Sequence, residues 1–228
     1  MIESKPWDWS KNESNKWLIP AIESCYLAES WTSKGFRDFM DLGSGLGRHS
    51  IYFAKKGFNV NAVDLSDYGL DHLKDWAKKE QLTINAQKCD MLNLPFPDDS
   101  FDCLMSYNVI YHTDTMGFIR TLAEIKRVLR PGGEAFLTLI SKKTESYLKA
   151  DSSRRIDKNT ILRNEHETEY DVPHFFVDIE DIKNYLGDFE IIVDPIEQTE
   201  YDMKDSRQYN VHFNVVIRKK QQVGRDNL

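Results

Sequence analysis

The chain has 228 residues, of which 40% are hydrophobic and 29% are charged, the usual profile of a soluble globular protein. Its formal net charge of -7 disfavours a nucleic-acid partner, because binding to phosphates relies on Lys and Arg. No apolar run approaches the roughly 20 residues that cross a bilayer, and residues 1–10 lack a signal-peptide pattern. We therefore expect a cytoplasmic protein with no membrane partner. The three cysteines match no zinc-binding spacing, and no metal site is expected.

Residues 1–34 predict a helical cap, which Gly35 ends. From Phe36 onward, apolar runs with strand character alternate with helical patterns. The predicted strands are Phe36–Asp41, Phe58–Val63, Thr83–Lys88, Phe101–Ser106 and Ala135–Ile140. The predicted helices between them are Arg48–Lys56, Leu70–Lys79 and Phe118–Leu129. Repeated β-α-β units of this kind predict a doubly wound parallel sheet, in which ligands lie beyond the carboxyl ends of the strands.

Residues 141–177 break this alternation, since they are polar and show no clear period. An insertion of this length is typical of a lid or a binding loop. Its basic side chains, Arg154, Arg155 and Arg163 among them, could bind an anionic substrate, although such a run more often forms a solvated face. Residues 178–220 predict one helix and then two strands, which we expect to form an antiparallel pair at the edge of the sheet. The helix is Asp178–Leu186, and the strands are Phe189–Val193 and Val211–Arg218.

The strongest local signal is a glycine-rich turn between the first strand and the first helix. Asp41 is followed by Gly43, Gly45 and Gly47 in a G-x-G-x-G spacing. Glycines let a ligand approach the backbone closely, and the helix that follows offers free N–H groups. Asp64 ends the next strand, where an acid can accept hydrogen bonds from ribose hydroxyls. A dinucleotide fingerprint has the spacing G-x-G-x-x-G instead, which disfavours an NAD-dependent oxidoreductase.

With these motifs in order, the sequence resembles the class I S-adenosylmethionine (SAM)-dependent methyltransferases, in the branch of compact enzymes that act on small molecules. Five stretches carry the resemblance, and they are Phe39–Ser50, Asn61–Ser66, Asp90–Asp102, Ser106–His112 and Arg127–Gly133. Their ordered series points to the fold and the cofactor. It says much less about the acceptor of the methyl group.

The resemblance implies a role for each matching position in binding SAM. The methionine part would be held by Asp41 and by the turn of Gly43, Ser44, Gly45 and Gly47, with Ser106 and Tyr107 lining the same side. The ribose and adenine would be held by Asp64, Leu65, Asp90 and Met91. In this scheme Asp64 accepts hydrogen bonds from the ribose, Leu65 packs on adenine, and Asp90 accepts a hydrogen bond from the adenine amino group.

The residues nearest the transferred methyl group are expected directly after the fourth strand. Tyr111 and His112 are the catalytic candidates, which would orient the acceptor or act as a base, although both could simply pack the loop. His174 and Trp17 are candidates for binding the acceptor, and Trp7 and Trp9 could close over the site or only pack a cap helix.

The sequence thus predicts one domain over residues 1–228, with a Rossmann-like, doubly wound α/β fold. Its seven-stranded sheet is mostly parallel and has an antiparallel final strand. Within it we expect a helical cap (1–34), a SAM-binding core (36–140), a substrate lid (141–177) and a C-terminal helix with two strands (178–220). The predicted function is methyl transfer from SAM to a small molecule by a monomer or homodimer. The alternatives are a methyltransferase acting on RNA or protein and a non-catalytic SAM-binding regulator.

Overall fold

A computed structural model describes residues 4–11, 14–163, 171–202 and 207–221. Seven strands form the main sheet, and they are β1 Asp38–Leu42, β2 Asn59–Asp64, β3 Ile84–Lys88, β4 Phe101–Ser106, β5 Leu129–Ile140, β8 Phe189–Asp202 and β9 Arg207–Lys219. Their order is β3-β2-β1-β4-β5-β9-β8. Strands β1 to β5 pair in parallel, whereas β9 runs antiparallel to both β5 and β8. The predicted doubly wound, seven-stranded sheet with an antiparallel final strand is confirmed.

Helices cover both faces of this sheet because its strands alternate between two apolar faces. Helices α1 Glu23–Ser33, α2 Arg48–Lys55 and α3 Asp67–Lys79 pack on one face, and α4 Thr115–Val128 and α6 Ile179–Tyr185 pack on the other. On β1, for example, Phe39 joins the α1–α2 side while Met40 joins the α4–α6 side. The turn from β1 into α2 lies at the carboxyl edge of the sheet because it follows the last residue of β1. Ligands bind at this edge in such folds.

The last three strands are longer than the sequence predicts. Strand β5 starts at Leu129 and includes Pro131–Gly133, whereas the predicted strand begins only at Ala135. Its pairing with β4 shifts register between Phe101 and Cys103, so the extra residues form an irregularity within the strand. Strands β8 and β9 extend beyond their apolar segments because their polar ends pair with each other, Glu200 opposite Asn210.

Two segments flank the carboxyl edge of the sheet. The N-terminal segment forms 3₁₀ turns at Trp9–Lys11 and Asn15–Leu18 before α1. Residues 141–177 contain α5 Glu145–Leu148 and a small hairpin of β6 Thr160–Leu162 and β7 Pro173–Phe175. Residues 164–170 of the predicted lid lie outside the described residues. The division of the chain into cap, core and lid stays a prediction.

Among the residues that the structure describes, no helix is both long enough and apolar enough to span a membrane.

Candidate active site

A cavity of about 540 Å³ lies at the carboxyl ends of β1, β2 and β4. Its volume falls within the roughly 300–1,000 Å³ that is usual for small-molecule sites. The walls come from the N-terminal segment, the loops after β1, β2, β3 and β4, and the β8–β9 hairpin. The fold thus brings together segments that are far apart in the sequence.

The floor of the cavity is the glycine-rich turn after β1. Gly43 and Gly45 have φ values of +76° and +54°, a conformation that L side chains rarely adopt. The backbone N–H groups of Gly43 and Ser44 donate to the carbonyl of Val63 at 2.8 and 3.0 Å. These bonds tie the turn to β2. A Cβ atom at Gly43 would overlap the side chain of Val109, so the turn can take this shape only with glycine there.

Two carboxylates stand beside this turn. Asp64 lines the cavity and accepts hydrogen bonds from the N–H groups of Gly45 and Ser66, both at 2.8 Å, and burial raises its pKa. Asp41 is only 1% exposed and accepts a hydrogen bond of 2.6 Å from the Ser50 hydroxyl. Burial, which the Ser50 hydrogen bond only partly offsets, raises the pKa of Asp41 to about 6. The free protein therefore holds a carboxyl group here that takes up a proton in weakly acidic solution.

The residues predicted to bind SAM divide into two groups. Seven of them line the cavity, namely Gly43, Ser44, Gly45, Asp64, Leu65, Met91 and Tyr107. Asp41, Gly47, Asp90 and Ser106 lie just outside its wall. Ser106 donates to the carbonyl of Leu42, and Asp90 accepts hydrogen bonds from the Ser4 hydroxyl and the Leu92 N–H group at 3.1 and 2.9 Å.

Aromatic side chains of the N-terminal segment form one side of the cavity. The ring of Trp7 stacks on His112 with 6.0 Å between centroids, and Trp9 meets Trp17 edge to face at 5.4 Å. The guanidinium of Arg48 lies 5.0 Å from the ring of Trp17. Trp17, predicted to bind the acceptor, is on the cavity wall together with Trp7 and Trp9.

Tyr111 and His112, the predicted catalytic residues, also line the cavity. Burial and the nearby positive charge of Arg163 lower the pKa of His112 to about 3, so its ring is neutral at pH 7. His174, predicted to contact the acceptor, is fully buried outside the cavity wall, with its ring centroid 4.6 Å from that of His112. Burial and the neighbouring rings lower its pKa as well.

The β8–β9 hairpin also contributes to the site, which was not predicted from the sequence. Glu200, Asn210 and His212 line the cavity. The hydroxyl oxygen of Tyr111 lies 3.2 Å from Nε2 of His212, and burial lowers the pKa of His212 to about 4. The alternation of Asn210, His212 and Asn214 with apolar residues was a visible signal of a strand with one polar face. It could not say which ligand that face would meet.

Among the described residues, the Ser44 hydroxyl and the indole N–H of Trp9 are buried without a hydrogen-bond partner, and both residues line the cavity. Orphaned polar groups in a cavity wall indicate a ligand with polar groups of its own. Within the same ranges, no cluster of three or more His, Cys, Asp or Glu side chains is arranged to hold a metal ion.

Comparison with known proteins relates the part of the chain that forms this site to a known family. Residues 40–137 match the model of a family described as "Methyltransferase domain". A SAM-dependent methyltransferase of Methanosarcina mazei superposes with a TM-score of 0.70 at 20% identity, covering 81% of this chain and 93% of that chain. Residues 40–137 therefore resemble a methyltransferase domain, and the chain shares the fold of a SAM-dependent methyltransferase.

Two further proteins that resemble this chain have more specific names. A ubiquinone biosynthesis O-methyltransferase of Coxiella burnetii is 31% identical over 132 residues, which is 58% of this chain and 55% of the relative. The chain thus spans about half the length of the curated relatives it matches. The 1,6-didemethyltoxoflavin-N1-methyltransferase of Burkholderia thailandensis, solved with its substrate and S-adenosylhomocysteine, superposes with a TM-score of 0.62 at 18% identity, covering 93% of this chain and 81% of that chain.

SAM is the cofactor of this methyltransferase family, and the residues present fit it. The turn at Gly43 and Gly45 exposes backbone to the cavity without side chains, and Asp64 offers a carboxylate beside it. The orphaned hydroxyl of Ser44 and the indole N–H of Trp9 add polar contacts for a ligand that carries a carboxylate, an amine and a ribose.

Proposed function

We propose that this chain transfers a methyl group from SAM to a small-molecule acceptor. The observation that carries the proposal is the lining of the cavity, which follows the carboxyl edge of the sheet from the glycine turn after β1 to Tyr111 and His112 after β4 and to His212 on β9. Such a cavity has room for a cofactor at one end and a compact acceptor at the other. The names of the relatives support a small-molecule acceptor, because one belongs to ubiquinone biosynthesis and the other holds 1,6-didemethyltoxoflavin.

In this proposal the cofactor occupies the end nearest β1 and β2. Asp41 and the turn at residues 43–47 hold its methionine part, beside the backbone of Ser106 and Tyr107. Asp64 accepts hydrogen bonds from the ribose. Leu65, Asp90 and Met91 hold the adenine. Asp90 accepts a hydrogen bond from the Ser4 hydroxyl in the free protein, and it would accept one from the adenine amino group instead.

The bound cofactor supplies an activated methyl group on a sulfonium, so the protein has little covalent chemistry to perform. What remains is to hold the acceptor atom close to the methyl carbon and in line with the breaking bond. Tyr111 and His112 are placed to orient the acceptor, while Trp7, Trp9 and Trp17 close the side of the cavity and exclude water. His174 supports this end from behind, through its packing on His112.

RNA and protein acceptors receive less support, because basic side chains of residues 142–163 form ion pairs or hydrogen bonds with nearby groups of the same chain. Lys142 forms ion pairs with Asp178 and Asp181, and Lys143 pairs with Glu197. Three further pairs or contacts follow, Lys149 with Glu145, Arg154 with Asp171, and Arg155 with the ring and carbonyl of Tyr147. This stretch therefore offers few uncompensated charges to phosphates.

The proposal is tested first by calorimetric titration with S-adenosylhomocysteine. We expect binding by the wild type and more than tenfold weaker binding by Asp64→Ala. Asp67→Ala is the matched control, because Asp67 is exposed and pairs with Lys88 at the surface, so its affinity should equal that of the wild type. Failure of the wild type to bind would remove the basis of the proposal.

The acceptor is tested second, with SAM carrying a radiolabelled methyl group and a cell extract divided by ultrafiltration. Label that appears in the small-molecule fraction supports the proposal. Label confined to the macromolecular fraction would assign the enzyme to RNA or protein instead, and binding without any transfer would favour a regulatory role. The cytoplasmic location and the monomeric or dimeric state stay predictions from the sequence.

A further inference from the structure

Strand β9 brings a polar face to the part of the cavity that lies beside Tyr111. Side chains of a strand alternate between its faces, so Asn210 and His212 share one face while Val211 and Phe213 point to the core. Both polar residues line the cavity. A small molecule bound in this part of the cavity would therefore meet the polar face of β9.

The amide oxygen of Asn210 has no use in the free protein. Its Oδ1 is buried and, within the described part of the chain, has no hydrogen-bond partner. A buried acceptor that lacks a donor destabilises a protein, unless a ligand supplies the donor. Because Asn210 lines the cavity, we expect the donor to come from a molecule that binds there.

A carboxylate stands opposite this amide. Glu200 on β8 pairs with Asn210 on β9, and partners in an antiparallel pair share one face, with Cβ atoms about 4.5–5.5 Å apart. Glu200 lines the cavity too, and its side chain forms no ion pair or hydrogen bond with the residues that the structure describes. Oxygen atoms from two neighbouring strands thus face the same space.

The negative charge of Glu200 reaches the interior of the cavity. Burial and the charge of Glu23 raise the pKa of the cavity-lining Tyr107 to about 12, and Glu200 adds to this rise while Arg48 opposes it. Burial and a nearby guanidinium lower the pKa of His212 to about 4, so this neighbour of Asn210 carries no positive charge at pH 7. The face of β9 and β8 is therefore rich in electrons.

The cations of the cavity wall come from other segments. Lys5 and Lys16 belong to the N-terminal segment, and Arg48 begins α2. Nη1 of Arg48 donates to the carbonyls of Lys16 and Ile19, both at 3.1 Å, which directs this group towards the N-terminal segment. Across the described ranges, none of the three forms an ion pair with Glu200. The carboxylate is thus available to a cation that enters from solution.

We propose that Glu200 and Asn210 bind an ammonium group of the methyl acceptor, so that the acceptor is a small molecule with a basic amine. The inference rests on the proposed function and adds the class of acceptor to it. An ammonium group donates three hydrogen bonds and accepts none, which matches a carboxylate beside an amide oxygen. Both residues determine specificity, because they recognise the amine whichever atom of the acceptor receives the methyl group.

The first test measures which small molecules bind beside S-adenosylhomocysteine. Benzylamine, benzyl alcohol and benzoate carry the same ring, which suits a wall of tryptophans, and differ in the group that would meet Glu200. Calorimetric titration of the complex with S-adenosylhomocysteine should give a Kd for benzylamine at least about tenfold lower than for the other two. Equal binding by benzyl alcohol or benzoate, or no binding of benzylamine, would overturn the proposal.

Substitution of Glu200 shows whether this preference comes from its carboxylate. We expect Glu200→Gln to reduce the preference for benzylamine over benzyl alcohol to less than about threefold. Glu197→Gln is the matched control on the same strand, because Glu197 lies outside the cavity wall and pairs with Lys143. This variant should keep the preference of the wild type. A preference that survives Glu200→Gln would contradict the assignment.

Two substitutions of Asn210 test its oxygen. Asn210→Leu removes the acceptor and should weaken benzylamine binding by about tenfold, whereas Asn210→Asp offers only acceptor oxygens and should preserve binding. Equal losses in both variants would mean that the amide does not accept a hydrogen bond from the amine. All these variants should bind S-adenosylhomocysteine as the wild type does, which separates loss of the acceptor site from loss of the fold.

The last test examines the product of the enzyme in a cell extract. The small-molecule fraction that carries the radiolabelled methyl group is passed over a cation exchanger at about pH 3, where amines are cations. Label retained beyond that of a control without the enzyme supports the proposal. Label that passes through the column would overturn it and leave the proposed function intact. Absence of any transferred label, or failure to bind S-adenosylhomocysteine, counts against the proposed function itself.

Discussion

At the scale of single residues, the turn after β1 depends on the absence of side chains. Gly43 has a φ of +76°, and an added Cβ would meet the side chain of Val109 within the cavity wall. Gly57 has a similar φ of +85°, but an added Cβ there would meet open space. An alanine at Gly57 would carry only the cost of the backbone conformation, whereas an alanine at Gly43 would also overlap Val109.

We expect Gly43→Ala to weaken S-adenosylhomocysteine binding by more than tenfold, because Val109 or the turn must move. Gly57→Ala should lower the free energy of unfolding by about 1 kcal/mol, the usual cost of this conformation for an L residue, and leave binding unchanged. Calorimetric titration and urea denaturation of both variants give the two quantities. Equal binding by Gly43→Ala and the wild type would show that the turn does not approach the ligand.

The raised pKa of Asp41 predicts that binding of the proposed cofactor depends on pH. Its pKa of about 6 lies above its ordinary value of 3.8, so the free protein carries a neutral carboxyl group below pH 6. The ammonium group of the cofactor favours the ionised form, and a proton must therefore leave on binding. We expect the affinity for S-adenosylhomocysteine to fall by up to about tenfold per pH unit below pH 6.

Calorimetry across this range, on the wild type and on Asp41→Asn, measures the effect. The variant should bind more weakly and lose the dependence attributed to Asp41. A variant with the pH profile of the wild type would place the titrating group elsewhere, with Asp64 as the next candidate, since its pKa is raised too.

At the scale of elements, one buried carboxylate joins α1, β5 and β9. Glu134 on β5 is 1% exposed and accepts hydrogen bonds from the indole of Trp31 at 2.9 Å and from Lys34 and Arg218 at 2.8 Å. Burial raises the pKa of Glu134, but the bonds from Lys34 and Arg218 outweigh burial, and the net pKa lies below its ordinary value of 4.5. Its contribution to stability is present above pH 4.5 and is lost as the pH falls through the lowered pKa.

We expect Glu134→Gln to lower the free energy of unfolding at pH 7 by about 1.5–3 kcal/mol, the usual worth of hydrogen bonds to a charged group. Glu190→Gln is the control, because Glu190 is a 54% exposed partner of the same Arg218 and should contribute less than about 1 kcal/mol. Urea denaturation at neutral and acidic pH measures both. An acid-induced loss of stability as large in Glu134→Gln as in the wild type would contradict this role.

The elements differ in how far their sequence predicts them. Strand β4 was predicted with its observed bounds, and β1, β2 and β3 within two residues, because the pattern that marks each strand lies in neighbouring residues of the sequence. The start of β5 and the lengths of β8 and β9 depend on pairing with strands that are distant in the sequence. A local sequence pattern does not predict such pairing. For the same reason the glycine turn and Asp64 could be identified as a site from the sequence, because both follow local patterns. His212 could not, because it meets Tyr111 only through the pairing of β9 with β5.

At the scale of the whole molecule, the N-terminal segment forms one wall of a site whose other walls lie in the sheet. Trp9 packs against Gly45 and Gly69, and Lys5 and Lys16 also line the cavity. A ligand that fills the cavity would contact this segment. Because it binds only when the segment lies against the cavity, it stabilises the segment in that position.

We therefore expect S-adenosylhomocysteine to slow cleavage by trypsin after Lys11 and Lys16, as followed by mass spectrometry. Cleavage after Lys149, at the exposed end of α5, serves as the internal control and should change less. Faster cleavage after Lys16 in the presence of ligand would mean that the segment must leave the cavity for the cofactor to bind.

The two faces of β9 also bear on how the proposed methyltransferase could acquire new substrates. Asn210 and His212 line the cavity, while Val211 and Phe213 are buried in the core. A strand keeps these two roles apart as long as its register is kept. Substitutions at the even positions can therefore change the acceptor with little loss of stability. The same hairpin offers a natural starting point for a designed library that explores new methyl acceptors on an unchanged scaffold.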